Sequence, residues 1–219
     1  MKQLTKANYL LLLMPLIGGI IVITLLKSKD GSEIAAEGLV TADKAVTLAE
    51  NNRTNPDSLA LAVEWLNRSI ALEPKSQVIY GHKARVLCWQ GKYDAALATL
   101  EEAREKSGEF WLNQLYEGLI IDMQGDSIAA NLNYERTIDY CDYQLKKMDK
   151  NTSQYDDMFI LYLTAQMLRY GKEEVKEDVE LLKLREDYRE GTSIYDFVMN
   201  AAHFDRKEHV KQMIGHYEE

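Results

Sequence analysis

The chain has 219 residues, with 26 lysines and arginines against 35 aspartates and glutamates, a formal net charge of −9. Three of those lysines fall within residues 1–27, which hold no acid, so the remainder carries 23 bases against 35 acids, a net −12. Such a surface repels nucleic acid and anionic lipid headgroups, which excludes both as partners of the main body and favours proteins or peptides, basic or amphipathic ones included.

Tyr9 to Leu26 read YLLLLMPLIGGIIVITLL, an uncharged run of 18 residues. At about 1.5 Å per residue this just crosses a bilayer core, and Pro15 is tolerated in a membrane helix. Residues 1–8 are then a short tail and 9–26 a transmembrane signal anchor. The competing assignment is a cleaved signal peptide, which wants small residues soon after the apolar run; Leu25, Leu26 and Lys27 follow instead, and Ala35-Ala36 lie far downstream. Lys2 and Lys6 on one side balance Lys27 and Lys29 on the other, so flanking charge does little to orient the segment. A short tail before a long body is the usual signal-anchor arrangement, which puts the body outside the cytoplasm. In a bacterium that means an inner-membrane protein with a periplasmic domain. Residues 27–40 read as a juxtamembrane linker and 41–219 as one helical domain.

Within that domain a period of 34 residues recurs. Ala62, Ala96 and Ala130 form one column; Leu66, Leu100 and Tyr134 follow four positions later, and Ser69, Ala103 and Thr137 three beyond those. Small and large side chains thus alternate along one helical face. Glu50, Ala84 and Gly118 form a further column whose last two members let helices approach closely. Gly91 and Gly125 punctuate two hairpins, and Pro74 closes the first unit just before a new helix. A period of this length means that no unit buries its apolar face alone, so the units stack.

Over roughly residues 41–142 these positions resemble the tetratricopeptide repeat (TPR). The middle unit matches best, through Tyr80, Ala84, Leu87, Gly91, Tyr93, Ala96, Leu100 and Ala103; the next keeps Gly118, Ile121, Gly125, Ala130 and Tyr134. The first keeps only its second helix, with Asp57 and Arg53 where a glycine and an aromatic are expected. The resemblance implies an all-α, TPR-like solenoid of about three to four helical hairpins with C-terminal capping helices, after one N-terminal transmembrane helix. The alternative is a helical bundle with coincidental spacing. The resemblance also implies that the first helix of each hairpin lines a concave protein-binding face. Its outward positions are Gly81, Arg85, Cys88 and Trp89 in one unit and Leu115, Leu119, Asp122 and Met123 in the next. Arg85 and Trp89 are the expected energetic anchors. The competing assignment for Trp89, Leu115 and Leu119 is ordinary core. Some family members grip a terminal carboxylate through paired lysines and asparagines. Thr47, Gly81 and Leu115 do not suit that mode, which leaves only Asn51 and Arg85.

Beyond the third unit the period is lost, because Gly171 stands 46 residues after Gly125. The helix from Ser127 is expected to run on toward Lys150, followed by a polar loop through Ser153. An apolar helix from Tyr155 to Tyr170, a break at Gly171 and a charged helix from Glu173 to Glu190 come next. Ser193–Ala202 and Asp205–Tyr217 complete the array as short amphipathic helices, with Asp205 as an N-cap.

No phosphate-binding glycine loop, metal-spaced cysteine pair or nucleophile elbow occurs, so no catalytic, cofactor or metal site is assigned and no small-molecule substrate is indicated. Of His82, His203, His209 and His216, the last three are too widely and unevenly spaced for a helical metal face; His209 and His216, two turns apart, could share a face, but solvated surface side chains are the expectation. Spacing does not imply a Cys88–Cys141 disulfide. The expected function is a membrane-tethered scaffold for protein–protein interaction in the cell envelope, in assembly, secretion or a chaperone-like role. The alternatives are an acidic inhibitor or immunity protein against a basic toxin or hydrolase, and an enzyme with no recognisable site.

Overall fold

The computed structural model of the protein describes residues 33–216, with side chains from Glu37 onward. The expected anchor at 9–26 lies outside the described residues, and no helix among those described is long and apolar enough to cross a membrane. The fold is all-α: ten α-helices and one 3-10 turn, with no strand among the described residues. Three helical hairpins come first: α1 (Glu33–Asn51) with α2 (Pro56–Leu72), α3 (Gln77–Trp89) with α4 (Tyr93–Ser107), and α5 (Trp111–Met123) with α6 (Ser127–Leu145). The first helices also stack, α1 on α3 and α3 on α5, which makes a continuous three-hairpin array. Because α1 begins at Glu33, residues 33–40 of the expected linker are helical.

The 34-residue period has a local cause at the turns. After α3, Gly91 takes φ 72°, its N–H returns to Cys88 O (2.8 Å) and that of Lys92 to Leu87 O (2.9 Å). After α5, Gly125 takes φ 96°, with Gly125 to Asp122 O (3.0 Å) and Asp126 to Ile121 O (3.2 Å). Both turns are Schellman motifs, in which a glycine without Cβ supplies the left-handed residue and the freed carbonyls of the last helical turn are satisfied. The first hairpin has no such glycine and starts α2 differently. Asn55 accepts from Ser58 N at 2.9 Å, and Pro56 occupies the first helical position, where a missing N–H costs nothing.

The repeat columns are the core of the array. Ala62, Ala96 and Ala130 are all fully buried, as are Ser69, Ala103 and Thr137, and Leu66, Leu100 and Tyr134 fill the space between them. The buried hydroxyls of Ser69 and Thr137 donate to carbonyls one turn back, Trp65 and Asn133, both at 2.9 Å, so neither is left unpaired. In the remaining column Glu50 accepts a 2.8 Å ion pair from Arg85, Ala84 is buried, and Gly118 lies directly against the Tyr134 ring.

The chain then departs from the repeat. α6 ends at Leu145, short of the expected Lys150, and Thr152 caps α7 (Ser153–Tyr170), accepting from Tyr155 N at 3.2 Å. Gly171 ends α7 at φ 96°. The single helix expected over Glu173–Glu190 is replaced by a 3-10 turn (Lys172–Val175) and a short α8 (Lys176–Leu182). Val175, Val179 and Leu182 are buried at helical spacing, but the next apolar residue, Leu184, is 81 % exposed, so nothing beyond Leu182 holds the helix to the body. Arg185 fixes the turn instead, gripping both carboxylate oxygens of Asp156 (2.6 and 3.1 Å) and pairing with Asp187 at 2.8 Å. α9 (Ser193–Ala201) packs on α7, and α10 (Arg206–Ile214) closes the described chain.

Candidate protein-binding face

α10 decides what the expected binding face is. Asp205 caps it by accepting from Glu208 N at 2.9 Å. Val210, Met213 and Ile214 fall on one side and are buried in the same core as Leu115, Leu119 and Leu112. The helix packs on α3 and α5, the first helices of the second and third hairpins. The face expected to receive a partner therefore carries the chain's own last helix.

Both ends of α10 are held by polar contacts. The last carbonyls of a helix lack intrahelical donors. Here Gln212 O accepts from Arg53 Nη1 at 3.0 Å, Met213 O from Trp89 Nε1 at 3.2 Å, and Lys211 O from Gly215 N at 2.7 Å. Two side chains from the hairpin array thus cap the C-terminus of α10, and the Arg53 cation faces the negative end of its dipole. Trp89 is buried with Arg53 4.0 Å and Arg85 5.0 Å from its ring centre, an arrangement that favours both cations electrostatically. His216, just past the helix, brings Nδ1 to 2.6 Å from Trp89 O, and its backbone N–H donates to the Tyr93 hydroxyl at 3.4 Å.

At the other end Arg206 donates through Nε to Asp122 Oδ2 (2.7 Å) and through Nη1 to Asn131 Oδ1 (2.9 Å). Asp122 also accepts from Ser127 Oγ (2.7 Å) and Tyr134 Oη (3.2 Å). Burial opposes its ionisation, but the hydrogen bonds from Arg206 and Ser127, the Arg206 charge and the Tyr134 hydrogen bond outweigh it and hold the carboxyl below the usual range. Burial and the facing carboxylate push the Tyr134 phenol up. Beside this pair, an open depression of about 570 Å³ lies between the end of α5 and the start of α10, with Met123, Gln124, Asp205 and Lys207 on its wall.

The eight residues expected at outward positions of an open groove are therefore distributed otherwise. Arg85, Cys88, Trp89, Leu115 and Leu119 are buried, and Gly81 with them, its Cα side filled by Asn113. Asp122, committed to Arg206, and the half-buried Met123 are the two that border the open depression. For Trp89, Leu115 and Leu119 the core assignment holds. The physical reason is that α10 supplies the apolar side chains that complete this face, so its residues meet protein rather than water. Arg85 is 1 % exposed and paired to Glu50, so it is not available to a peptide carboxylate.

His203 and His216 are exposed as expected, whereas the other two histidines are not. His82 is buried, and burial followed by the Arg85 charge lowers it from 6.5 to about 3. His209 packs against Phe204 with ring centres 5.1 Å apart, its Nε2 is buried without a hydrogen bond, and burial lowers it to about 4. Cys88 and Cys141 are free and buried; burial raises both thiols, that of Cys141 to about 12. Among the described residues, no group of three histidine, cysteine or carboxylate side chains is placed to hold a metal ion.

Sequence reasoning passed over Arg53, Arg206 and His216. Arg53 registers only as a departure from the repeat pattern, and its contact with α10 spans 159 positions. A signal for Arg206 does exist: Arg206, Val210, Met213 and Ile214 stand at i, i+4, i+7 and i+8, one stripe of a helix that starts with a cation. No family model, curated protein or solved structure matches the chain.

Proposed function

We propose that this protein is a TPR-like scaffold, tethered to a membrane by residues 9–26, which holds another protein through the face formed by the first helices of its hairpins. The observation that carries this reading is that α3 and α5 together seat a helix, α10, through apolar side chains and through polar contacts at both its ends. A face built this way suits helix recognition. The acidic body favours a partner with basic groups, in the cell envelope if the source is bacterial. This is a binding role, with no residue assigned to chemistry.

The test is in-cell photocrosslinking from Met123 and Gln124, at the rim of the face, with Arg136 on α6 as an exposed control. One or a few discrete adducts from the rim positions and none from the control are expected. Equal adducts from all three remove the face from the account. The acidic surface also suits an inhibitor of a basic toxin or hydrolase. That role would give a one-to-one complex whose association slows steeply with added salt, whereas an association rate indifferent to salt excludes it.

A further inference from the structure

We infer that α10 is an intramolecular stand-in for the partner, occupying the helix-binding face until a helix with the same pattern displaces it. This rests on the scaffold reading above and deepens it by stating what the partner looks like. The pattern is read from the contacts of α10: a basic residue at the start to meet Asp122, apolar residues four, seven and eight positions later, and a helix end whose carbonyls reach Arg53 and Trp89.

Three observations make α10 replaceable rather than a fixed part of the core. It is nine residues long, too short to persist as a helix in water, so it is helical only while docked. It is the last described helix, and its undocking breaks no turn or column contact within the hairpins. Its anchors are of two kinds at opposite ends, a cation on a carboxylate and carbonyls on an indole and a guanidinium. These are the features a competing helix of the same polarity would reproduce and one of reversed polarity would not. The face it covers is apolar and would not stay empty: Trp89, Leu115 and Leu119 lie beneath it. Withdrawal of α10 and seating of the partner are therefore one exchange, and the apparent affinity of the partner is reduced by the fraction of time the face is self-occupied.

The probe is a synthetic peptide of residues 203–216 added to the full-length protein in detergent, with the wild type compared against Ile214→Asp, which puts a charge into the buried seat of α10 and changes no residue of α1–α9. Fluorescence anisotropy is expected to show at least tenfold tighter binding to the variant, because the tethered helix competes at high local concentration in the wild type. A peptide carrying Arg206→Glu should bind the variant at least tenfold more weakly. Equal binding to the two proteins, or indifference to the Arg206→Glu change, overturns the inference. If Ile214→Asp prevents folding, native-state hydrogen exchange on the wild type decides. Amides of Val210 to Ile214 should exchange at least tenfold faster than those of Leu119 and Ile120, and exchange in step with α5 overturns the inference. Failure of the exchange with rim crosslinks intact leaves the scaffold standing; peptide binding without any rim crosslink does the opposite.

Discussion

The indole N–H of Trp89 donates at 3.2 Å to the carbonyl of Met213, 124 positions downstream, tying the first helix of the second hairpin to the last turn of α10. The bond closes a gap in each partner. Met213 O lacks an intrahelical donor because the helix ends one residue later, and a buried indole N–H without an acceptor is costly. Arg53 does the same for Gln212 O from above the same ring. One aromatic residue thus serves as core for the hairpins and as cap for the helix that covers them.

Two substitutions separate these roles. Trp89→Phe keeps much of the packing but leaves Met213 O without its donor, and should cost about 1–3 kcal/mol. Trp89→Ala also empties a large site between two guanidinium groups, and should cost about 3–5 kcal/mol. Urea unfolding of the detergent-solubilised protein measures both; an unchanged midpoint in Trp89→Phe would mean that the indole N–H contributes nothing, and equal losses in the two variants that the ring packing adds nothing beyond it. Only Trp89→Phe should raise the proteolytic sensitivity of residues 203–216 without destabilising the hairpins to the same extent.

At the other end, the Arg206–Asp122 pair combines charge with several hydrogen bonds in a site where the aspartate side chain is only 7 % exposed. Removing one member strands the other. Arg206→Ala should therefore cost about 3 kcal/mol, near the lower end for a broken buried pair because the arginine is partly exposed. Asp122→Asn with Arg206→Gln should lose less than the sum of the two single changes, with a coupling of roughly 1–3 kcal/mol. Strictly additive losses would show that the two side chains do not act as a unit.

The hairpins were legible in the sequence because their cause is local. Gly91 and Gly125 each end a helix through bonds that reach back only three and five residues, and Ala62, Ala96 and Ala130 sit where two neighbouring helices touch. The state of the face expected to bind a partner was not, because it depends on contacts between residues over a hundred positions apart, Trp89 with Met213 and Arg53 with Gln212. An alternating stripe such as Leu115, Leu119 and Asp122 identifies a face that meets something; it carries no information on whether that something is water, a partner or the end of the same chain. The same limit applies to His209, a polar residue on a charged helix whose ring packs against Phe204.

Acid should weaken the fold from about pH 6.5 downward, through two buried histidines. His82 and His209 have folded-state values depressed to about 3 and about 4, below the 6.5 of an unfolded chain. The unfolded chain therefore takes up protons first as pH falls from 6.5, and the stability these neutral imidazoles contribute is lost progressively down to their folded values. At pH 5 the loss is roughly 2 kcal/mol for each. Asp157 acts in the opposite sense, since burial, followed by the neighbouring Asp156 charge, raises it to about 6; the folded chain takes its proton first as pH drops below that value. The urea midpoint should be flat above about pH 7 and fall toward pH 5, with a shallower fall in His82→Asn. A His82→Asn profile parallel to wild type would assign the acid sensitivity to other groups.

The second and third hairpins fill equivalent space in two ways, and this makes a paired substitution informative. The second sets Ala84 in the column where the third has Gly118, and Leu100 where the third has Tyr134. A Cβ on Gly118 would stand 2.7 Å from Tyr134 Cε1, 3.0 Å from Cδ1 and 3.2 Å from Asn133 Cβ. The ring has no room to swing away, being fully buried with its hydroxyl on Asp122. Gly118→Ala gains about 1 kcal/mol of helix propensity but forces an overpacked contact costing about 1–3 kcal/mol, so the net change should be destabilising. Tyr134→Leu alone opens a cavity and removes a hydrogen bond to Asp122, and should cost about 2–4 kcal/mol. Combined, the two recreate the alanine and leucine of the second hairpin: the new methyl occupies volume the ring vacated, and the clash is gone. The double variant should be more stable than Tyr134→Leu alone, with a favourable coupling of roughly 1–2 kcal/mol by urea unfolding. A double variant less stable than Tyr134→Leu would mean that the two hairpins do not share a packing geometry at this column, and that the 34-residue period describes their turns but not their cores.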